Sequence, residues 1–174
     1  MGNHATHTLS CPVIVEYPPQ SGEIVLVGEP QKGFTLNFPG GGVDLLKDRD
    51  QESETLVVAA EREAKEESGL KVEIIGIVGL SHVLRERKFH FTLAAIAIGG
   101  NLTPSSKHPI VRTFSLEQIE ELSSSGNLRS PRVKHWATKY FSPSNQLISL
   151  DYLNEFNNDP FPPNNTDFSY LQLD

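Results

Sequence analysis

Three glutamates are spaced so that a helix would place their carboxylates on one face. Glu63, Glu66 and Glu67 stand at positions i, i+3 and i+4 within residues 62–70, REAKEESGL. Like charges gathered in this way repel one another, so stability alone does not explain the cluster. Clustered carboxylate oxygens hold hard divalent cations such as Mg²⁺, which keep coordination positions for water and substrate phosphates. The three glutamates therefore indicate a metal platform for phosphate chemistry.

The residues around the cluster predict the helix that positions it. Val57, Ala60 and Ala64 form an apolar stripe beside the acidic one. Ser53 is the expected N-cap, and Gly69 stands where a left-handed glycine would end the helix. Taken alone, the triplet could equally be a solvated acidic face without a function.

A glycine-rich turn precedes the helix and favours the metal interpretation. Residues 38–44, FPGGGVD, end a predicted strand, and glycines allow the backbone to approach a metal or a phosphate closely. Arg62 adjoins the triplet, and Glu54 lies eight residues before Arg62. The combination of turn, arginine and four glutamates is much more specific than the triplet itself.

These residues resemble the Nudix box, whose pattern is a glycine, five residues, a glutamate, seven residues and then Arg-Glu-aliphatic-x-Glu-Glu-x-Gly-aliphatic. From Glu54 onward the match is complete, because seven residues separate Glu54 from Arg62 and the aliphatic places are filled. Gly41 corresponds to the glycine of the box, but twelve residues lie between it and Glu54. We interpret residues 45–52 as an insertion, which a polar surface loop tolerates at little energetic cost.

The resemblance implies a fold and a chemistry. The implied fold class is α/β, a Nudix-type α/β/α sandwich around a mixed β-sheet in a single domain. Members hydrolyse a nucleoside diphosphate linked to another group, so a small nucleotide substrate and Mg²⁺ or Mn²⁺ as cofactor are implied. The implied metal ligands are Glu63, Glu66, Glu67 and the carbonyl of Gly40. Glu63 would also help to activate the attacking water, while Arg62 and Glu54 would orient the carboxylates by charge-assisted hydrogen bonds.

An acidic loop residue, which in some members is the catalytic base, is the part of the family pattern that this chain lacks. Many members carry a further acid in the loop before the strand that leads to the short C-terminal helix. Here that loop, residues 102–109, reads LTPSSKHP and contains no acid. Glu63, His108 or an acid from elsewhere must then accept the proton, and we favour Glu63.

Further candidates contact the substrate in this interpretation. They are Arg85, Arg87, His82 and Phe38. Guanidinium groups at a hairpin tip match phosphate oxygens, a histidine there (His82 or His90) can transfer protons, and a ring beside the glycine turn can stack on a base. Each has an ordinary alternative, namely a solvated charge, a structural histidine or a core aromatic.

The remaining pattern predicts the other elements and the domain boundaries. Strands are expected over residues 12–17, 23–28, 34–38, 72–83, 89–98 and 110–114, and helices over 115–122 and from Pro131. Residues 93–98 are uniformly apolar, so their strand is expected to be covered on both faces. We predict a flexible N-terminal segment over 1–10, a Nudix hydrolase domain over 11–153 and a Pro/Asn-rich tail over 154–174.

Composition limits the classes of function. The net charge of −7 argues against nucleic acid as a partner, because phosphate backbones require basic surface. Cys11 is the only cysteine, which fits a reducing compartment and a cytoplasmic protein. No apolar run is long enough to span a membrane. Residues 1–6 fit the loose N-myristoylation pattern, but a Met-Gly start is common and we do not expect lipidation.

We therefore expect a divalent-metal-dependent hydrolase that cleaves a pyrophosphate bond in an ADP-ribose-like conjugate or a nucleoside triphosphate. The alternative is a catalytically silent Nudix-fold module that binds a nucleotide or a protein partner, which the stretched box and the missing loop acid motivate. The resemblance also implies a homodimer formed through sheet edges.

Overall fold

The computed structural model describes residues 7–43 and 54–153. Within them, one seven-stranded mixed sheet lies between one helix on one face and two helices on the other. The strands are β1 (Thr8–Ser10), β2 (Val13–Glu16), β3 (Glu23–Gly28), β4 (Leu36–Asn37), β5 (Leu70–Val83), β6 (Lys88–Gly100) and β7 (Ile110–Ser115). The helices are α1 (Leu56–Ser68), α2 (Leu116–Ser124) and α3 (Pro131–Phe141), with short 3-10 turns at Pro30–Lys32, Leu84–Glu86 and Leu150–Tyr152. The α/β sandwich expected from the sequence is confirmed.

Strand β6 connects the two halves of the sheet. One of its edges pairs antiparallel with β5, and the other runs parallel first to β1 and then to β2. Strand β3 joins β2 through the single pair Glu16 and Ile24, and it also pairs antiparallel with β4 and β7. The break between β1 and β2 leaves backbone groups free of strand pairing at the middle of the sheet.

The glycine turn fills this break. The Cys11 amide donates to the Gly41 carbonyl at 3.0 Å, and the Val13 amide donates to the Pro39 carbonyl at 2.8 Å. Because buried backbone groups require partners, these bonds fix the turn in this break. The sheet therefore holds the turn in a fixed position beside helix α1.

Two apolar cores follow from alternation along the strands. Val13 and Val15 pack towards α1, whereas Ile14, on the opposite face of the same strand, packs towards α2 and α3. The α1 core includes Ala59, Ala60 and Ala64 with other residues of the sheet. Small side chains on this helix face let α1 lie close to the sheet.

Some predicted details are wrong. Residues 8–10 form strand β1 rather than part of a flexible segment, because β6 extends beyond β2 and offers them a free edge. The N-cap of α1 is Thr55, whose hydroxyl accepts from the Val58 amide at 3.2 Å, while the expected N-cap, Ser53, lies outside the described residues. Ile96 and Ile98 are 39% and 51% exposed, since the α1 core covers only the opposite face of this part of β6, through Ala95 and Ala97.

Several predictions concern residues outside the described part of the chain. They are the lipidation pattern at residues 1–6, the insertion at 45–52 and the tail at 154–174. Among the residues described, no helix is both long and apolar enough to cross a membrane.

Candidate active site

Helix α1 presents its polar face to the glycine turn. It ends as predicted at Gly69, which has φ of 81° and whose amide donates to the Lys65 carbonyl at 3.0 Å. Because the alanine face of α1 packs in the core, the carboxylates of Glu63 and Glu67 lie against the turn. The side chain of Glu66 is 58% exposed and lies at the rim of the cluster.

Arg62 binds two carboxylates. One belongs to Glu54, which precedes the cluster, and the other to Glu63, the first member of the cluster. Its Nε and one terminal nitrogen bind both oxygens of Glu54, at 2.8 and 2.9 Å, and its other terminal nitrogen donates to Glu63 Oε1 at 2.8 Å. Hydrogen bonding to Glu54, with a smaller contribution from Glu63, raises the pKa of Arg62 above its usual range. A permanent cation with a rigid fork of donors can thus hold two acidic side chains in fixed positions.

At two positions of the turn, an added Cβ atom would meet a close neighbour. A Cβ atom on Gly40, whose φ is 146°, would collide with the carbonyl of Cys11. A Cβ atom on Gly41 would collide with the Glu63 carboxylate. The Gly40 amide donates to Glu67 Oε2 at 2.9 Å. The turn is therefore shaped around these carboxylates, and their oxygens form the kind of donor set that suits a hard divalent cation.

Glu67 belongs to a buried polar group with His108 and Glu29. The sequence did not predict that these three residues lie together. Its Oε1 lies 3.2 Å from His108 Nε2, which lies 3.7 Å from Glu29 Oε1. Glu29 also accepts from Arg129 at 3.3 Å. Burial, opposed by the hydrogen bond from Gly40, raises the pKa of Glu67 to about 7. Burial likewise lowers the pKa of His108, so both side chains tend towards their neutral forms.

His108 and Glu29 come from two loops distant in sequence. His108 is 1% exposed and lies in the loop that precedes β7. It is one of the alternative proton acceptors considered from the sequence. Glu29 follows the buried strand β3 directly, and sequence reasoning missed it. The only available signal was an acid at the end of an apolar strand, next to the strand that delivers the glycine turn.

A cavity of about 480 Å³ adjoins the glycine turn on the side away from α1. Its wall contains the cationic side chains Lys32, Lys88, Arg129 and Arg132, together with the backbone of the turn. Glu86 is the acidic residue of this wall, and Arg132 lies 3.9 Å from it. In a protein of net charge −7, this wall concentrates positive charge. Arg129 connects the two regions, because it lines the cavity and binds Glu29.

The hairpin contributes to this cavity through different residues from those predicted. Arg85 and Arg87 are exposed at its tip and do not line the cavity, whereas Glu86, Lys88 and His90 do. His82 stacks on Phe89, with ring centroids 4.1 Å apart, and alternation puts Phe89 on the opposite face from His90. The substrate contacts of Arg85, Arg87 and His82 stay predictions, and these side chains do not line this cavity.

Phe38 is 2% exposed and packs in the core with α2 and α3. Phe38 also lines the cavity, so the stacking of its ring on a base stays a prediction beside its place in the core. His90 is half-buried, and its Nδ1 lies 2.9 Å from the Ser10 hydroxyl. Burial lowers the pKa of His90, whose side chain lines the cavity.

Comparison with known proteins identifies the architecture. The NUDIX domain family matches residues 12–137. A NUDIX hydrolase from Nitrosomonas europaea superposes with a TM-score of 0.68 at 20% identity, covering 87% of this chain and 98% of that one. An ADP-ribose pyrophosphatase from Streptococcus suis has a TM-score of 0.60 at 23% identity, covering 81% and 97%. A NUDIX-family hydrolase from Clostridium perfringens has a TM-score of 0.57 at 17% identity, covering 78% and 96%. No curated protein matched the chain.

Proposed function

Because the chain belongs to the NUDIX domain family, we propose that it hydrolyses a pyrophosphate bond in a nucleoside diphosphate linked to another group, with a divalent metal ion. One observation carries the proposal. The Glu63 and Glu67 carboxylates lie against the glycine turn, where a Cβ atom on Gly41 would meet the Glu63 carboxylate and the Gly40 amide donates to Glu67. An acidic face without a function would need neither that turn nor the Arg62 fork.

The metal would be held by oxygens of α1 and the turn. The proposed ligands are Glu63, Glu66, Glu67 and the carbonyl of Gly40, and Mg²⁺ or Mn²⁺ suits such a donor set. When bound, the ion supplies Lewis-acid stabilisation of the charge that develops on the phosphate oxygens. Arg62 and Glu54 keep this set in place, because a displaced carboxylate would lose a charge-assisted hydrogen bond.

Glu63 is the proposed proton acceptor. Its Oε1 accepts from Arg62, while Oε2 accepts no hydrogen bond from any residue in the described ranges. Oε2 is therefore the oxygen that can take a proton from the attacking water. The Arg62 contact holds the carboxylate in one orientation, so that proton transfer and phosphorus attack can occur in the same geometry.

The cationic cavity supports a substrate with several negative charges. Lys32 and Lys88 form no ion pair with any described residue, so their charges are available to phosphate oxygens. ADP-ribose-like conjugates and nucleoside triphosphates both satisfy this requirement. The similarity to a protein named as an ADP-ribose pyrophosphatase favours the conjugates as the first class to test.

A substrate panel tests the proposal. Purified protein is incubated with nucleoside diphosphate conjugates, nucleoside triphosphates and dinucleoside polyphosphates in Mg²⁺ or Mn²⁺, and the products are separated by chromatography. Wild type should release two phosphorylated products from at least one class, and Glu66→Gln should lose most of that turnover. Glu61→Gln, on the same helix but outside the cluster, is the matched control and should keep it.

The same panel separates a second candidate function. The absence of an acid from residues 102–109 favours a silent module that binds a nucleotide or a protein partner. If no compound is cleaved while calorimetry detects binding of metal and nucleotide, the silent module replaces the hydrolase as the conclusion.

A cytoplasmic location and a homodimer also belong to the proposed function, and size-exclusion chromatography with light scattering tests the dimer.

A further inference from the structure

Glu29, Glu67 and His108 form a mixed nitrogen and oxygen group next to the Nudix carboxylates. One ligand atom from each side chain lies within 4.8 Å of the other two. Carboxylates alone would carry little information, because acidic groups often cluster without an ion. The histidine is the informative member of this group.

His108 presents a buried nitrogen without a hydrogen-bond partner. The residue is 1% exposed, and its Nε2 makes no hydrogen bond of acceptable geometry with any described residue. This nitrogen nevertheless points between Glu67 Oε1, 3.2 Å away, and Glu29 Oε1, 3.7 Å away. A buried polar atom without a partner is costly, so such an atom needs an explanation, and a cation between the three groups would provide it.

The distances match a shared ion. Two ligand atoms at about 2.1 Å from one ion and at right angles to each other are separated by about 3 Å. The separation of 3.2 Å between His108 Nε2 and Glu67 Oε1 is of this size. Glu67 can serve this ion through Oε1 because its Oε2 is occupied by the Gly40 amide.

We propose that Glu29, Glu67 and His108 bind a divalent transition-metal ion, and that the imidazole nitrogen makes this centre prefer such an ion to Mg²⁺. Imidazole is a good ligand for transition metals, whereas Mg²⁺ requires oxygen donors. The site shares Glu67 with the proposed Nudix ligands, and to that extent it rests on the proposed function. The competing arrangement is a charged network in which His108 bridges two glutamates without a metal.

Pulsed electron paramagnetic resonance of the full chain loaded with Mn²⁺ tests the site without turnover. Wild type should give ¹⁴N modulation from a directly bound imidazole, and His108→Gln should lose it. His82→Gln is the matched control, because His82 stacks on Phe89 away from the site, and it should keep the modulation. A wild-type complex without ¹⁴N modulation, or modulation that persists in His108→Gln, overturns the proposal.

A competition measurement tests the preference. Removal of a metal ligand should weaken Mn²⁺ binding by about tenfold or more and change Mg²⁺ binding much less. Glu29→Gln serves as a second variant if His108→Gln does not fold, and it should weaken Mn²⁺ binding while the ¹⁴N modulation remains. Equal losses for both ions in the folded variant contradict the proposed preference. Because neither readout requires catalysis, a protein that fails the substrate panel but shows the modulation separates the two proposals.

Discussion

Glu67 is expected to make the stability of the metal-free protein depend on pH. Its side chain is 8% exposed, and burial raises the pKa of its carboxyl from 4.5 to about 7, against the opposing hydrogen bond from Gly40. A carboxyl whose pKa is higher in the folded than in the unfolded chain binds its proton more tightly when folded. Its contribution to stability is therefore fully present below about pH 4.5 and is lost as the pH rises to about 7.

The size of the effect follows from the shift. One pKa unit corresponds to about 1.4 kcal/mol, so the interval between 4.5 and about 7 gives up to about 3 kcal/mol. In a protein of this size, about 1 kcal/mol changes the melting temperature by about 2–4 °C. Metal-free wild type should therefore lose roughly 6–12 °C from this group between pH 4.5 and pH 8.

Urea unfolding in the presence of a chelator, at half-unit steps over this pH range, measures the effect. Glu67→Gln keeps an acceptor for the Gly40 amide but does not titrate, so its unfolding free energy should decline less than that of wild type by up to about 3 kcal/mol. Glu66→Gln is the matched control, because the Glu66 side chain is 58% exposed, and its curve should run parallel to wild type. Parallel curves for wild type and Glu67→Gln would refute the reasoning.

Two further substitutions test how the cluster is positioned. Gly41→Ala places a methyl group against the Glu63 carboxylate and should abolish most turnover, whereas Gly99→Ala, which has open space around it, should not; chromatographic product analysis measures both. Arg62→Lys replaces the fork that binds Glu54 and Glu63, and the loss of about 1.5–3 kcal/mol per charge-assisted hydrogen bond should weaken Mn²⁺ binding by at least about tenfold in calorimetry. Unchanged Mn²⁺ affinity in Arg62→Lys would mean that Arg62 does not orient the ligands.

Local periodicity carried most of the correct predictions. A helix fixes which side chains share a face, so the relation of Glu63 to Glu67 and the end of α1 at Gly69 could be read from spacing alone. The same holds for β3, which covers the predicted residues 23–28. These features depend on neighbours in sequence, and the tertiary structure did not alter them.

The sequence is least informative where a face of a strand has to be chosen. In the hairpin, Glu86, Lys88 and His90 line the cavity, while Arg85 and Arg87 do not. Side chains alternate along a strand, so a shift of one residue reverses every assignment. The pairing of β5 with β6 contains three register shifts, and the sequence does not indicate where they occur.

The group of Glu29, Glu67 and His108 could not be assembled from the sequence for another reason. Glu29 follows β3, Glu67 lies on α1 and His108 lies in the loop before β7. Only the order of the strands brings these residues together. None of them belongs to a local pattern with the others. Such long-range groups require the topology before the chemistry can be recognised.

The central claim is that the carboxylates of α1 hold a divalent ion that the hydrolysis requires. Turnover of a cleaved conjugate is measured on chelator-dialysed protein as free Mn²⁺ is restored, beside Mn²⁺ binding by calorimetry, for wild type and Glu66→Gln. We predict no turnover without metal, half-maximal recovery at the Mn²⁺ dissociation constant, and a shift of both curves in Glu66→Gln. Turnover that persists in excess chelator, or a Glu66→Gln variant identical to wild type in both curves, would contradict the account.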